Sequence, residues 1–232
     1  MKNFLLVILF LFISASFAFA GKLSPLEKEL EKRLPDIVGP AKKYTVKIMD
    51  TGILDLFSGE IKDLYLISEE VQPKDSPQLE FVKVHLHNIT FDLDKIEKIE
   101  KAGFLINLNQ DAINKYLPEK VKDYPNLKVD LNNNVITVNT NKKVWMLDLP
   151  IKVTGTLVVE NQKKVNFKCG KLSVSGIDLP DFIKKQLEDK INPLVDLTEM
   201  KIITNILNIK IMEKKLQIEG EARADAPIYY GK

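Results

Sequence analysis

The chain has 232 residues, with 34 Lys+Arg set against 32 Asp+Glu and a formal net charge of +2. Its only arginines are Arg33 and Arg223, and this near-neutral, arginine-poor balance argues against nucleic acid as a partner. Cys169 is the single cysteine, so the chain folds without an internal disulfide. Residues 1–20 read as a secretory signal peptide: a basic start at Lys2, an apolar run from Phe4 to Ile13, and Ala18-Phe19-Ala20 as the cleavage site. The run is shorter than the ~20 residues a membrane span needs, which favours cleavage over retention as an anchor. The rest of the chain suits one elongated domain over 21–222, with 223–232 as a C-terminal tail.

Along that domain the first element predicted is a helix opening at Ser24-Pro25-Leu26-Glu27, a capping box with proline at the first helical position. Leu26, Leu30 and Leu34 form its apolar face. Period-two alternation then predicts strands over 44–50, 59–67 and 79–87, with 94–101 read as a short helix. A second main helix starts at Asn109, with Ile113, Tyr116, Leu117 and Val121 on its apolar face. Strands come next over 127–131, 135–140, 151–159 and 164–174, joined by turns at 132–134 and 160–162. A third main helix begins at Asp178, with Ile183, Leu187, Ile191 and Leu194 on one side. Strands 207–212 and 216–222 close the pattern around a turn at 213–215.

Two matches in register point to a duplication. An offset of 83 sets Leu34-Pro35 on Leu117-Pro118, Val38 on Val121 and Val46 on Val129. "LHNITFDL" (86–93) resembles "LSVSGIDL" (172–179) at an offset of 86. The pseudo-repeats cover about 24–103 and 107–179, with 180–222 completing the set. The fold class expected is α+β: a curved, mostly antiparallel sheet wrapped around amphipathic helices, built from duplicated helix-plus-sheet units.

Signals for catalysis are weak. The chain carries no G-x-S-x-G elbow, phosphate loop, H-E-x-x-H or C-x-x-C. His85 and His87 share one strand face, but two imidazoles fall short of the three or four ligands of a zinc site. Asp92 and Asp94 lie too far along to complete the set, so both histidines are expected beside Lys83, facing water, with no metal and no cofactor. Cys169 shares parity with Val165 and Phe167 and reads as a core filler.

The informative signal is an apolar surplus. Residues 142–151 are oily on both strand faces, with Val144 and Met146 on one side and Trp145 and Leu147 on the other. A second such place puts Ile53, Leu54, Leu56 and Phe57 in a short glycine-bounded connection, and a third carries Phe91 after a change of parity. Two readings stand at this point. The segments lie between helices and core, or they form an apolar slot or a membrane-touching rim.

The ordered segments "LFSGEIKDLYLISEEV" (56–71), "LHNITFDLDKI" (86–96), "FLINLNQDAINKYL" (104–117) and "GIDLP" (176–180) resemble the LmeA-like phospholipid-binding family of bacterial envelope proteins. The resemblance covers most of 24–222 and implies a fold similar to tubular lipid-binding domains, with an apolar groove for acyl chains. It implies non-enzymatic binding or transfer of a phospholipid or other acyl-chain lipid, with transient contact to a membrane surface, in the periplasm or at the outer face of the cytoplasmic membrane. It supplies no catalytic residues. The alternative is an envelope scaffold or adaptor that binds a protein or glycan. The residues expected to meet lipid are Ile53, Leu54, Leu56, Phe57, Phe91, Val144, Trp145, Met146 and Leu147. On this reading Trp145→Asp weakens lipid binding, followed by vesicle flotation, more than it lowers the thermal midpoint; equal losses would make Trp145 a core residue.

Overall fold

The computed structural model describes residues 23–74, 76–92, 95–120, 126–144, 147–198, 203–224 and 228–229. Residues 1–20, read above as a signal peptide, lie outside these residues, as do Trp145 and Met146 and the side chains of Val144 and Leu147. The fold is α+β, dominated by antiparallel strands. Contacts divide the chain into two compact units: Met1–Ile106 with Met200–Asn205 and Glu219–Lys232, and Asn107–Glu199 with Ile206–Ile218.

The first unit opens with helix α1 (Leu23–Val38), followed by β1 (Lys43–Met49), the short helix α2 (Ile53–Phe57), β2 (Glu60–Val71), β3 (Leu79–Asp92) and β4 (Lys95–Asn109). The second unit holds α3 (Gln110–Lys120), β5 (Lys128–Asn132), β6 (Val135–Val144), β7 (Leu147–Glu160), β8 (Lys164–Val174), β9 (Ile177–Asp178), α4 (Asp181–Ile191) and β10 (Val195–Asp196). The chain ends with β11 (Ile203–Met212), β12 (Lys215–Ala224) and β13 (Ile228–Tyr229). One sheet runs β1-β2-β3-β4-β12-β11 with β13 against β4; the other runs β10-β8-β7-β6-β5 with β9 against β8. Strands β4, β11 and β12 each give one end to each unit.

Alternation accounts for the strands. In β3, Val82, Val84 and Leu86 are buried, while Lys83, His85 and His87 face outward at their alternate positions. Helix α1 buries Leu30, Leu34 and Val38, its residues at helical spacing, and packs on β1. The asparagine turn works as expected: Asn133 and Asn134 both take positive φ, 36° and 67°, between paired Asn132 and Val135. In the second unit, Val129, Leu131 and Ile211 form a core against which Ile113 and Leu117 of α3 pack.

The repeat at 83 lands on a shared device. In α1, Glu31 accepts from the Val46 amide and Glu27 from the Ile48 amide, both at 2.8 Å. In α3, Asn114 accepts from the Val129 amide and Gln110 from the Leu131 amide, both at 2.7 Å. Adding 83 to each residue of the first set gives the second. A third instance joins α4 to β8, with Asn192 accepting from the Phe167 amide at 2.7 Å and Glu188 from the Cys169 amide at 2.6 Å. Each time, two polar side chains four residues apart on or next to a helix meet alternate amides of a strand. β1 and β5 are the outer strands of their sheet orders, and short β9 and β10 pair only with the two ends of β8. The helices thus satisfy strand edges that would otherwise offer unpaired donors.

Two expectations are corrected. Residues 95–101 are strand, not helix: Ile96, Ile99 and Ala102 are all buried at a spacing of three within β4. That spacing imitates a helical face, but inward parity changes along the strand, and pairing with β13 claims its backbone. The third main helix starts at Asp181, not Asp178, because Asp178 belongs to β9, paired with Ser173. Leu194 lies beyond the helix and is exposed.

Asn114 imitates a strand partner completely, since it also donates to the Val129 carbonyl at 2.8 Å. Asn114→Ala should destabilise the fold by about 1–3 kcal/mol, because a buried residue's amide and carbonyl both lose their partner. The gain in helix propensity, about 0.5 kcal/mol, offsets only part of that. Urea unfolding measures the difference, and Asn114→Asp, which keeps the acceptor alone, should fall between.

Candidate functional site

Four large apolar residues with exposed side chains gather where β1 passes to β2, while Ile177 and Phe182 are a further exposed pair at β9 and α4. Helix α2 is a single turn, and its apolar side chains point outward: Leu54 is 83% exposed, Phe57 74%, Ile53 46% and the preceding Met49 51%. Leu56 is half-buried. A globular chain exposes single apolar residues freely, but four large ones within nine positions are a local apolar concentration.

The turn is held by polar contacts on its inner side. The Gly52 amide donates to Asp55 Oδ2 at 2.7 Å, and Lys62 Nζ lies 3.1 Å from the same oxygen. The Gly52 amide first, then Lys62, hold the Asp55 carboxyl below the usual carboxylate range. Thr51 Oγ1 donates to the Met49 carbonyl and accepts from the Lys62 amide, and Ser58 Oγ donates to the Asp55 carbonyl. Gly59 closes the turn at φ 78°, where a Cβ would collide with the Phe91 carbonyl oxygen. The Phe91 amide donates to the Gly59 carbonyl at 2.8 Å, so the half-buried Phe91 sits beside the exit of α2. The structure therefore brings Ile53, Leu54, Leu56, Phe57 and Phe91 into one neighbourhood of the first unit. Trp145 and Met146 are outside the described residues; Val144 and Leu147 are placed only as backbone partners joining β6 to β7.

A second cluster lies on the outward face of β2 and β3. Asp63 is paired by register with His87, and Tyr65 with His85. His85 Nε2 lies 2.5 Å from Asp63 Oδ1 and His87 Nδ1 lies 3.1 Å from the same oxygen. Hydrogen bonds from His85 and then His87 hold the Asp63 carboxyl below its usual range, against the opposing effect of burial. The sequence pattern supplied the two histidines but not Asp63, which reaches them across the ladder from a position 22 residues before His85. Beside His87 a polar hollow of about 470 Å³ is lined by Glu100, Lys101, Asn205 and Glu221 among others.

Cys169 is half-buried, and desolvation, reinforced by Glu188, pushes its thiol pKa up. A raised thiol is a poor nucleophile.

The fold is α+β, built on antiparallel sheets, and it carries an outward-facing apolar turn. The chain belongs to the LmeA-like phospholipid-binding family, whose model matches residues 24–221. Comparison with curated proteins and with solved structures gives no match. The fold class expected from the sequence and the family resemblance both stand.

Gly59→Ala should lower the thermal midpoint, read by circular dichroism. It forces a Cβ against the Phe91 carbonyl at a left-handed backbone position and loosens the base of α2.

Proposed function

We propose that this protein binds phospholipids in the cell envelope by their acyl chains, moves them without catalysis, and touches the membrane through the apolar turn α2. The observation that carries this reading is the outward display of Met49, Ile53, Leu54 and Phe57 in a member of a phospholipid-binding family. Moving a lipid out of a bilayer costs about 0.8 kcal/mol per methylene, so a chain of ~16 carbons costs on the order of 12 kcal/mol. Hydrogen bonds to a head group, about 0.5–1.5 kcal/mol each in net terms, do not offset that. Apolar surface does, at about 1.5–3 kcal/mol for each large side chain buried. Leu54 and Phe57 lead that contact, Ile53 and Met49 flank it, and Leu56 and Phe91 continue it inward. Val144, Trp145, Met146 and Leu147 are proposed as a further apolar contact. The export signal read at residues 1–20 would deliver the chain to the envelope.

The test uses residues 21–232 purified without detergent. Native mass spectrometry should show bound phospholipid, and the protein should float with phosphatidylglycerol vesicles. Leu54→Asp/Phe57→Asp should reduce vesicle binding at least about tenfold, since two side chains worth several kcal/mol together are withdrawn from the contact. The thermal midpoint should stay unchanged, as both residues are exposed. Unaltered vesicle binding by the variant would remove α2 from the mechanism. A lipid-free protein with a specific protein partner would favour the scaffold reading instead.

A further inference from the structure

We propose that Asp63, His85 and His87 form a binding site for a divalent transition-metal ion of the zinc class on the outward face of β2 and β3. Asp63, His85 and His87 each offer one donor atom, a carboxylate oxygen or a ring nitrogen, and the three lie within 4.8 Å of one another. An ion bonded to each at about 2.0–2.2 Å needs its donors separated by only a few ångströms. Both ring nitrogens already converge on one carboxylate oxygen, at 2.5 and 3.1 Å. Small side-chain rotations that open those contacts admit an ion between them.

The backbone beneath the cluster is fixed. His85 and His87 are alternate residues of one strand, and Asp63 stands opposite His87 on the next. Val84 and Leu86, between and beside the histidines, are anchored in the core, as is Leu64 beside Asp63. Antiparallel strands held this way present side chains at a set spacing, which is the rigidity a metal site requires. The Tyr65 ring stacks on His85 with centroids 4.1 Å apart and planes 7° from parallel, fixing the plane of one imidazole.

Donor chemistry selects the ion. Two imidazoles and one carboxylate suit zinc, copper, nickel or ferrous iron, whereas magnesium and calcium prefer oxygen donors throughout. The donors are partly exposed, with side-chain exposures of 17% for Asp63, 37% for His85 and 45% for His87, so an ion can enter and keep water on its remaining positions. This inference rests on the sheet of the first unit alone and stands whether or not α2 meets lipid.

The experiment titrates untagged, metal-stripped protein, residues 21–232, with zinc chloride by calorimetry, and with cobalt(II) by visible absorption. One zinc ion per chain is expected, together with the cobalt absorption of an imidazole-containing site and no response to magnesium. His85→Gln/His87→Gln should weaken zinc binding by more than the about 10–100-fold that loss of a merely supporting partner costs, and abolish the cobalt signal. Asp63→Asn should weaken it too; circular dichroism on each variant separates lost ligands from lost fold, and the histidine double variant decides if Asp63→Asn unfolds. No stoichiometric zinc binding by the unaltered chain overturns the proposal. So does zinc binding of unchanged strength in the folded double variant, which would leave the three residues as a hydrogen-bonded cluster only.

Discussion

The satisfaction of backbone amides at open sheet edges is the constraint on which much of the architecture depends. An outer strand leaves alternate amides without a strand partner, and each buried amide left unpaired costs about 1–3 kcal/mol. Among the described residues the requirement is met three times with the same arrangement, a pair of polar side chains four residues apart: Glu27 and Glu31, Gln110 and Asn114, Glu188 and Asn192. Helical spacing of four brings both side chains to one face, and strand spacing of two brings both amides to one edge. In the second and third instances, Asn114 and Asn192 also donate to the carbonyl of the same residue and so stand in for a neighbouring strand. The helices are edge covers as much as core fillers, and that explains why their inward faces mix Leu with Glu, Gln and Asn.

This constraint frees the connection between β1 and β2 to do something else. With β1 latched to α1 on one side and paired with β2 on the other, the residues between them need carry no ladder. They form one helical turn whose polar groups all serve the turn itself, through Gly52, Asp55, Ser58 and Lys62. The apolar groups are left facing water. Keeping Leu54 and Phe57 exposed forgoes about 1.5–3 kcal/mol each relative to burial. Nothing within the turn recovers that loss, and contact with an apolar partner, as proposed for α2, would.

Much of this was legible in the sequence, for reasons that differ by element. Strands were readable where one face is buried, because Val82, Val84 and Leu86 alternate with Lys83, His85 and His87. The asparagine turn was readable because Asn tolerates the left-handed backbone that Asn133 and Asn134 adopt. The offset of 83 was readable, although the hydrogen bonds that fall on it were not, since Glu27 and Glu31 look like ordinary solvated helix charges. The start of β4 was misread because Ile96, Ile99 and Ala102 repeat at three, a period that belongs to helices, in a strand whose inward parity changes. The start of the last helix was misread because Asp178 is a good cap by type, yet β9 holds it. Asp63 escaped because a cross-strand partner depends on register, which no local pattern states.

Register is also what joins the two faces of the first sheet. The alternation that drives Val84 and Leu86 inward obliges His85 and His87 to share the outer face, and the β2–β3 pairing then sets Asp63 and Tyr65 opposite them. A slip of one residue would send every one of these side chains to the wrong side, exposing the aliphatics and burying the imidazoles. The cost of exposing Leu64, Val84 and Leu86, several kcal/mol in sum, is therefore what holds the histidine–aspartate cluster together. Its own hydrogen bonds, partly exposed, are far too weak to set the register alone. The chemistry on the outer face is positioned by the oil on the inner one, so substitutions in the core at Val84 or Leu86 would disturb the cluster without touching it.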